Sequence, residues 1–162
     1  MWYQDNPNEL YHYGVKGMKW GVRRKINRLA KSAGRAAATG KIQEKTTKEV
    51  SEHFRKRAAD NRMFAKYWKD ERNNLAKAAR SVKDAERSEK AINKSYNYGM
   101  KSAEYWLKKS NKAKLKAYDL VTKYDISGGK AEVDRILESY GNKPYNSQVK
   151  DFRSTVYNQG LY

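Results

Sequence analysis

Apolar and small residues recur at steps of three and four along most of this chain. From Lys41 to Tyr124 no proline interrupts the pattern, and Gly99 is the only glycine. One series runs Val50, Phe54, Ala58, Asn61, Ala65, Trp68, Arg72, Leu75, Ala79, Val82. A second runs Ile92, Tyr96, Gly99, Ala103, Trp106, Ser110, Ala113, Ala117, Leu120, Tyr124. This spacing predicts long helices, each with one narrow packing seam. Two antiparallel helices would let each seam cover the other. Asn93, Asn97 and Gly99, all weak helix formers, favour a turn near 93–99. The alternative is one unbroken helix, roughly 125 Å long, whose seams need further copies of the chain to cover them, a route to a homo-oligomer.

The flanking segments are shorter. Residues 1–21 read as irregular, punctuated by Pro7, Gly14, Gly17 and Gly21. Val22, Ile26, Leu29, Ala33 and Ala36 predict an amphipathic helix over 22–39, with Gly40 placed to end it. Gly34 weakens that helix by about 1 kcal/mol relative to Ala. Residues 40–125 form the long hairpin. Asp125-Ile126-Ser127-Gly128-Gly129 is a helix breaker, and 126–162 reads as a small helical cap. In that cap Val133, Ile136, Leu137 and Tyr140 mark a short helix stopping at Gly141, with Pro144 beyond. Ser147 is placed to cap a last helix bearing Val149, Phe152 and Val156, before Gly160. The predicted fold class is all-α: a long helical hairpin with a short basic helix before it and a helical cap after it.

Composition adds a thin core and a strong charge. Hydrophobic residues make up 38% and charged residues 33% of the 162, too lean for one large core and better suited to elongated helices. Aromatics at 12% argue against full disorder. The formal charge of +18 attracts polyanions: nucleic acid, anionic lipid or an acidic protein face. Its placement is uneven, because Lys16, Lys19, Arg23, Arg24, Lys25, Arg28, Lys31 and Arg35 follow one another with no acid between them. On a helical wheel Arg24, Arg28, Lys31 and Arg35 share a stripe opposite Ile26, Leu29 and Ala33. Together with Arg23 they are the candidate polyanion-binding residues, able to track phosphates of DNA or RNA without strong sequence preference. Tyr11, Tyr13 and Trp20 could stack on exposed bases. The apolar face of 22–38 is mostly alanine and lacks the bulky anchors of a membrane-surface helix.

Candidate chemistry is sparse. Cysteine is absent, which excludes disulfides and thiolate metal sites, and His12 and His53 stand far apart. Asp70-Glu71 and Glu132/Asp134 lie among basic residues and read as solvated ion-pair partners rather than acid–base catalysts. The glycines at 14, 17 and 21 match neither a Walker loop nor a dinucleotide fingerprint. Ser127-Gly128-Gly129-Lys130 reads as a linker and helix start before it reads as a phosphate cradle. Neither a catalytic residue, a metal site nor a cofactor is expected. No apolar run is long enough to span a bilayer and the start lacks a signal peptide's apolar core, so a soluble protein made in a cytoplasm is expected.

The most distinctive string is Tyr11-His12-Tyr13-Gly14-Val15-Lys16-Gly17-Met18-Lys19-Trp20-Gly21-Val22-Arg23-Arg24. It resembles a short element found at the ends of many tailed-bacteriophage proteins from Gram-positive hosts, often head-morphogenesis, minor capsid and other virion-associated products. The resemblance implies a phage-encoded protein targeted to or packaged in a particle, and it carries over at His12, Gly14, Lys16, Gly17, Lys19, Trp20, Gly21, Arg23 and Arg24. It accompanies varied downstream domains and so says nothing of an activity. Physically, glycines allow close backbone approach and Trp20 is a large apolar anchor that flanking cations would steer toward an acidic groove. His12, Gly14, Lys16, Gly17, Lys19, Trp20 and Gly21 are therefore the candidate docking residues. Alternatively, Trp20, Met18 and Val15 fold back to complete a small core. Two functions follow as expectations. One is a non-enzymatic virion-associated or head-assembly protein binding phage structural proteins, an acidic surface or DNA. The other is a nucleic-acid-binding effector that blocks a host defence complex.

Overall fold

The structure is a computed structural model, and it describes residues 15–71 and 73–162, with the side chains of 15–19 left out. The described chain is helical, and two long helices pack against each other. They are α1 (Val15–Asp70) and α2 (Leu75–Lys123), followed by α3 (Gly129–Ser139), the single turn α4 (Asn146–Val149) and α5 (Phe152–Leu161). Pairings between α1 and α2 run in opposite senses. Ala33 meets Ser110, Gln43 meets Ser102 and Arg62 meets Glu89, so the hairpin is antiparallel.

The hairpin reverses at Asn73–Asn74, between the end of α1 at Asp70 and the start of α2 at Leu75, not at 93–99. Asn73 takes a left-handed φ of 44°, and Asn74 accepts a hydrogen bond from the Lys77 N–H at 3.1 Å, capping α2. Adjacent asparagines thus supply both the reversal and the cap. Asn93, Asn97 and Gly99 stay helical because Gly99 is needed inside the seam, where a Cβ would overlap the Thr47 side chain. Two other stops differ. α1 begins at Val15 and runs through Gly40, so 15–21 is helix rather than irregular chain. Each glycine costs a helix about 1 kcal/mol, a penalty that an already nucleated and packed helix absorbs. Ser147 lies within α4, and the chain breaks at Asp151 (φ 60°) before α5 begins. The breaker at 125–129 behaves as expected. The Ile126 N–H reaches Val121 O at 3.0 Å and the Asp125 N–H reaches Thr122 O at 3.2 Å, a Schellman closure with Asp125 in the left-handed position.

Two compact units form along the hairpin: the chain up to Ala38 with Trp106–Tyr145, and Thr39–Tyr105 with Asn146–Tyr162. The first has a core of Ile26, Ala30, Ala117, Val121, Ile126 and Val133, where α3 closes on α1 and α2. The second has a core of Val50, Phe54, Ala91, Phe152 and Val156, where α5 closes on the same two helices. Tyr157 of α5 stacks on Phe54 with ring centroids 5.0 Å apart, and His53 packs against Tyr157 at 5.6 Å.

Away from these clusters the seam is small and polar. In the second unit Thr47, Ser51, Ser88 and Ser95 are buried. Thr47 and Ser95 return their hydroxyl protons to Gln43 O and Ala91 O, each at 2.7 Å. Gln43, fully buried, uses both ends of its amide: Nε2 donates to Gln148 O at 2.9 Å and Oε1 accepts from Ser102 Oγ at 2.8 Å. Ser51 Oγ alone among the described buried side-chain polar atoms has no hydrogen-bond partner. The seam residues Val50, Phe54, Ala58 and Ala65 are buried as predicted, whereas Leu75, Ala79 and Val82 are exposed. After the turn the inward register restarts at Ala78, Ala85 and Ser88. Arg72 lies outside the described residues.

Gly99→Ala tests this close approach. In an open helix the change gains up to about 1 kcal/mol. Here overlap with Thr47 makes it cost about 1–3 kcal/mol, read as a lower urea midpoint. Thr47→Ala in the same chain recovers part of that loss.

Candidate polyanion-binding surface

Within the first unit, the 20–38 stretch of α1 turns Ile26, Ala30, Ala33 and Ala36 inward. Arg23, Arg24, Arg28, Lys31 and Arg35 are all exposed. Among the described residues Arg23, Arg24, Arg28 and Lys31 enter no ion pair. Trp20 is 51% exposed, so it is not a core residue, and the Arg24 guanidinium lies 3.4 Å above its ring. Gly21 is helical with open space where a side chain would stand, so neither it nor Gly17 provides a left-handed bend. The side chains of Lys16 and Lys19 are not described, and His12 and Gly14 lie outside the described residues.

A second element completes the surface. At Gly34 a Cβ would stand 2.6 Å from Leu137 O and 2.7 Å from Tyr140 Cβ. Glycine there lets the last turn of α3 lie directly on α1. The Tyr140 ring then faces three cations, Lys143 Nζ at 5.0 Å, the Arg35 guanidinium at 5.5 Å and Lys31 Nζ at 5.7 Å. Next to it, Tyr145 shares a 3.1 Å hydrogen bond with Ser32 and packs 5.5 Å from Trp106, whose ring carries Lys109 Nζ at 4.7 Å. The basic stripe of α1 is thus bordered by an aromatic shelf with its own cations. Tyr140 is marked only as an apolar position of the short cap helix, and Lys143 and Tyr145 have no marking in the linear pattern; Gly34, a costly residue in mid-helix, was the one signal of a close neighbour.

Polar contacts fix α3 in place. The Tyr118 hydroxyl donates to Asp134 Oδ1 at 2.5 Å, and Lys114 Nζ reaches the same oxygen at 3.0 Å. These two, the tyrosine hydrogen bond first, hold the Asp134 carboxyl below the ordinary carboxylate range. Lys114 is held above the usual lysine value by the same carboxylate and then by Tyr118. Elsewhere Glu132 is taken up by Arg135 at 2.8 Å. No group of three or more His, Asp or Glu side chains among the described residues is placed to hold a metal ion. No helix of the described residues is long and apolar enough to cross a membrane.

Comparison with known proteins reaches only the start of the chain. Residues 4–27 match the model of a family of unknown function, DUF7211. That span contains the string 11–24 and ends just short of Arg28. Searches among curated proteins and among solved structures give no match.

The Asp134 contact has a pH signature. Because the folded carboxyl has the lower pKa, its contribution to stability is present above the unfolded value and is lost as pH falls through the folded one. With the side chain 46% exposed the effect is small. Tyr118→Phe moves the Asp134 titration, followed by carboxyl-carbon NMR, up toward the ordinary carboxylate range. Acid unfolding then begins at higher pH.

Proposed function

We propose that this is a non-enzymatic, phage-encoded binding protein that grips polyanions along the exposed face of α1. Arg24, Arg28, Lys31 and Arg35 form the grip and Tyr140 with Lys143 its border. The observation that carries this reading is the acid-free, solvent-facing stripe itself, bordered by the end of α3 where it packs at Gly34. Phosphates fit such a stripe because cations at steps of three and four residues stand about 4.5 and 6 Å apart along the axis. Duplex DNA is the polyanion it would meet in a particle. The resemblance of residues 11–24 to an element of tailed-phage virion and head proteins supports a virion-associated or head-assembly role, in the host cytoplasm and then in the particle. Trp20, exposed and backed by Arg24, is the docking anchor.

Two measurements test the two halves. Mass spectrometry of purified particles should find the chain. Absence from particles combined with intact DNA retention would move the reading to a nucleic-acid-binding effector acting inside the infected cell. In a salt titration with duplex DNA, log affinity should fall linearly with log salt. The variant carrying Arg24→Ala, Arg28→Ala and Lys31→Ala should flatten that slope by roughly 3 and leave helicity unchanged. A slope unaltered by those substitutions, or no retention near physiological salt, defeats the grip on α1.

A further inference from the structure

The second unit carries a basic surface of its own, built on α2. Arg80, Arg87, Lys94 and Lys101 repeat at intervals of seven, with Lys83 and Lys90 beside them, and all six are exposed. At 3.6 residues per turn they fall within one stripe about 80° wide. Tyr98 and Tyr105, 40% and 58% exposed, stand in the same stripe between and beyond the lysines. No carboxylate lies inside it from Arg80 to Tyr105; Asp84, Glu86 and Glu104 lie at its edges.

Along one edge of the stripe the surface opens into a hollow of about 360 Å³. Its floor is apolar, made of Phe54, Ala91 and Leu161, and its rim carries Arg57, Lys90 and Lys94. Asp84 is the one acid in the lining, and Arg87 engages it at 3.3 Å. Among the described residues Arg57, Lys90 and Lys94 enter no ion pair, and Arg57 makes only a 3.5 Å hydrogen bond to the Tyr157 hydroxyl. The hollow therefore offers an apolar seat ringed by unneutralised cations.

We propose that this face binds single-stranded nucleic acid, with phosphates along Lys90, Lys94 and Lys101 and unstacked bases placed on the exposed rings of Tyr98 and Tyr105 and against Leu161 at the edge of the hollow. An acidic protein surface needs only the cations, whereas exposed rings alternating with cations along one stripe match the base and phosphate repeat of a single strand. A duplex keeps its bases stacked inside and leaves the rings unused. The assignment rests on the polyanion reading only for its chemistry; its residues are different.

The test uses the full chain and fluorescence anisotropy with three probes at matched salt: a labelled oligothymidylate, an abasic strand of equal charge, and a duplex. The thymidylate should bind about tenfold or more tighter than the abasic strand, and Tyr98→Ala with Tyr105→Ala should reduce that ratio. Lys90→Ala, Lys94→Ala and Lys101→Ala together should flatten the single-strand salt slope by roughly 2, with circular dichroism unchanged. Equal binding of thymidylate and abasic strand overturns the proposal. So does a preference that survives the α2 substitutions and disappears with those at Arg24, Arg28 and Lys31. The α1 reading is scored separately, on the duplex slope, so either surface can fail alone.

Discussion

Everything in this fold depends on two helix backbones lying close together over a seam of small side chains. Thr47 against Gly99, Ser110 donating to Ala33 O at 2.8 Å, and Gly34 beneath Tyr140 all require short distances that a leucine seam would not allow. Small side chains bury little apolar area each, so transfer energy per residue is modest. The seam compensates with dispersion at high packing density and with hydrogen bonds that leave few buried polar groups unmet. Gln43 shows how little slack exists. Loss of Ser102 or displacement of Gln148 would strand one end of a buried amide, at a cost of about 1–3 kcal/mol.

A narrow seam has an electrostatic consequence. Because only a thin stripe of each helix faces inward, most of the circumference of α1 and α2 meets water and has to be polar. Here that surface is filled chiefly with lysine and arginine, 36 of them against 18 acids over the whole chain. Many of the acids are used locally, as at Glu44–Lys48 (2.6 Å), Glu49–Arg153 (3.1 Å) and Asp134–Lys114 (3.0 Å). What is left over is cationic, and it collects where the sequence supplies no acid: on α1 from Arg23 to Arg35 and on α2 from Lys90 to Lys101.

The linear pattern made the helical character, the antiparallel hairpin and the basic stripe of α1 legible, because they follow from local periodicity, but not which residues pair across the hairpin. The breaker at 125–129 was legible for the same reason, carried by Asp125 and Gly128. The turn was misplaced because Gly99 looks alike whether it ends a helix or admits a neighbour; only the position of Thr47 decides. Leu75, Ala79 and Val82 continue the seam spacing on paper, but the reversal at Asn73–Asn74 resets which side of the helix faces inward. The aromatic shelf was illegible altogether, since Tyr140 and Tyr145 reach α1 through tertiary packing rather than sequence distance. The same is true of the hollow, whose floor joins Phe54, Ala91 and Leu161 from three helices.

The exposed stripe of α1 also bears on what the seam must supply. Like charges at i, i+3 and i, i+4 repel, and Arg24/Arg28, Arg28/Lys31 and Lys31/Arg35 each cost about 0.2–0.5 kcal/mol in an isolated helix. No acid occupies the first turn of α1 to offset them through the helix dipole. Local sequence therefore works against this helix, along with Gly17, Gly21 and Gly34, and tertiary contact with α2 and α3 has to hold it. A polyanion lying along the stripe would offset those repulsions with attractions of its own. The packed seam fixes the backbone that carries the cations before any ligand arrives, so backbone ordering is met by folding and only the side-chain rotamers remain to be ordered on binding.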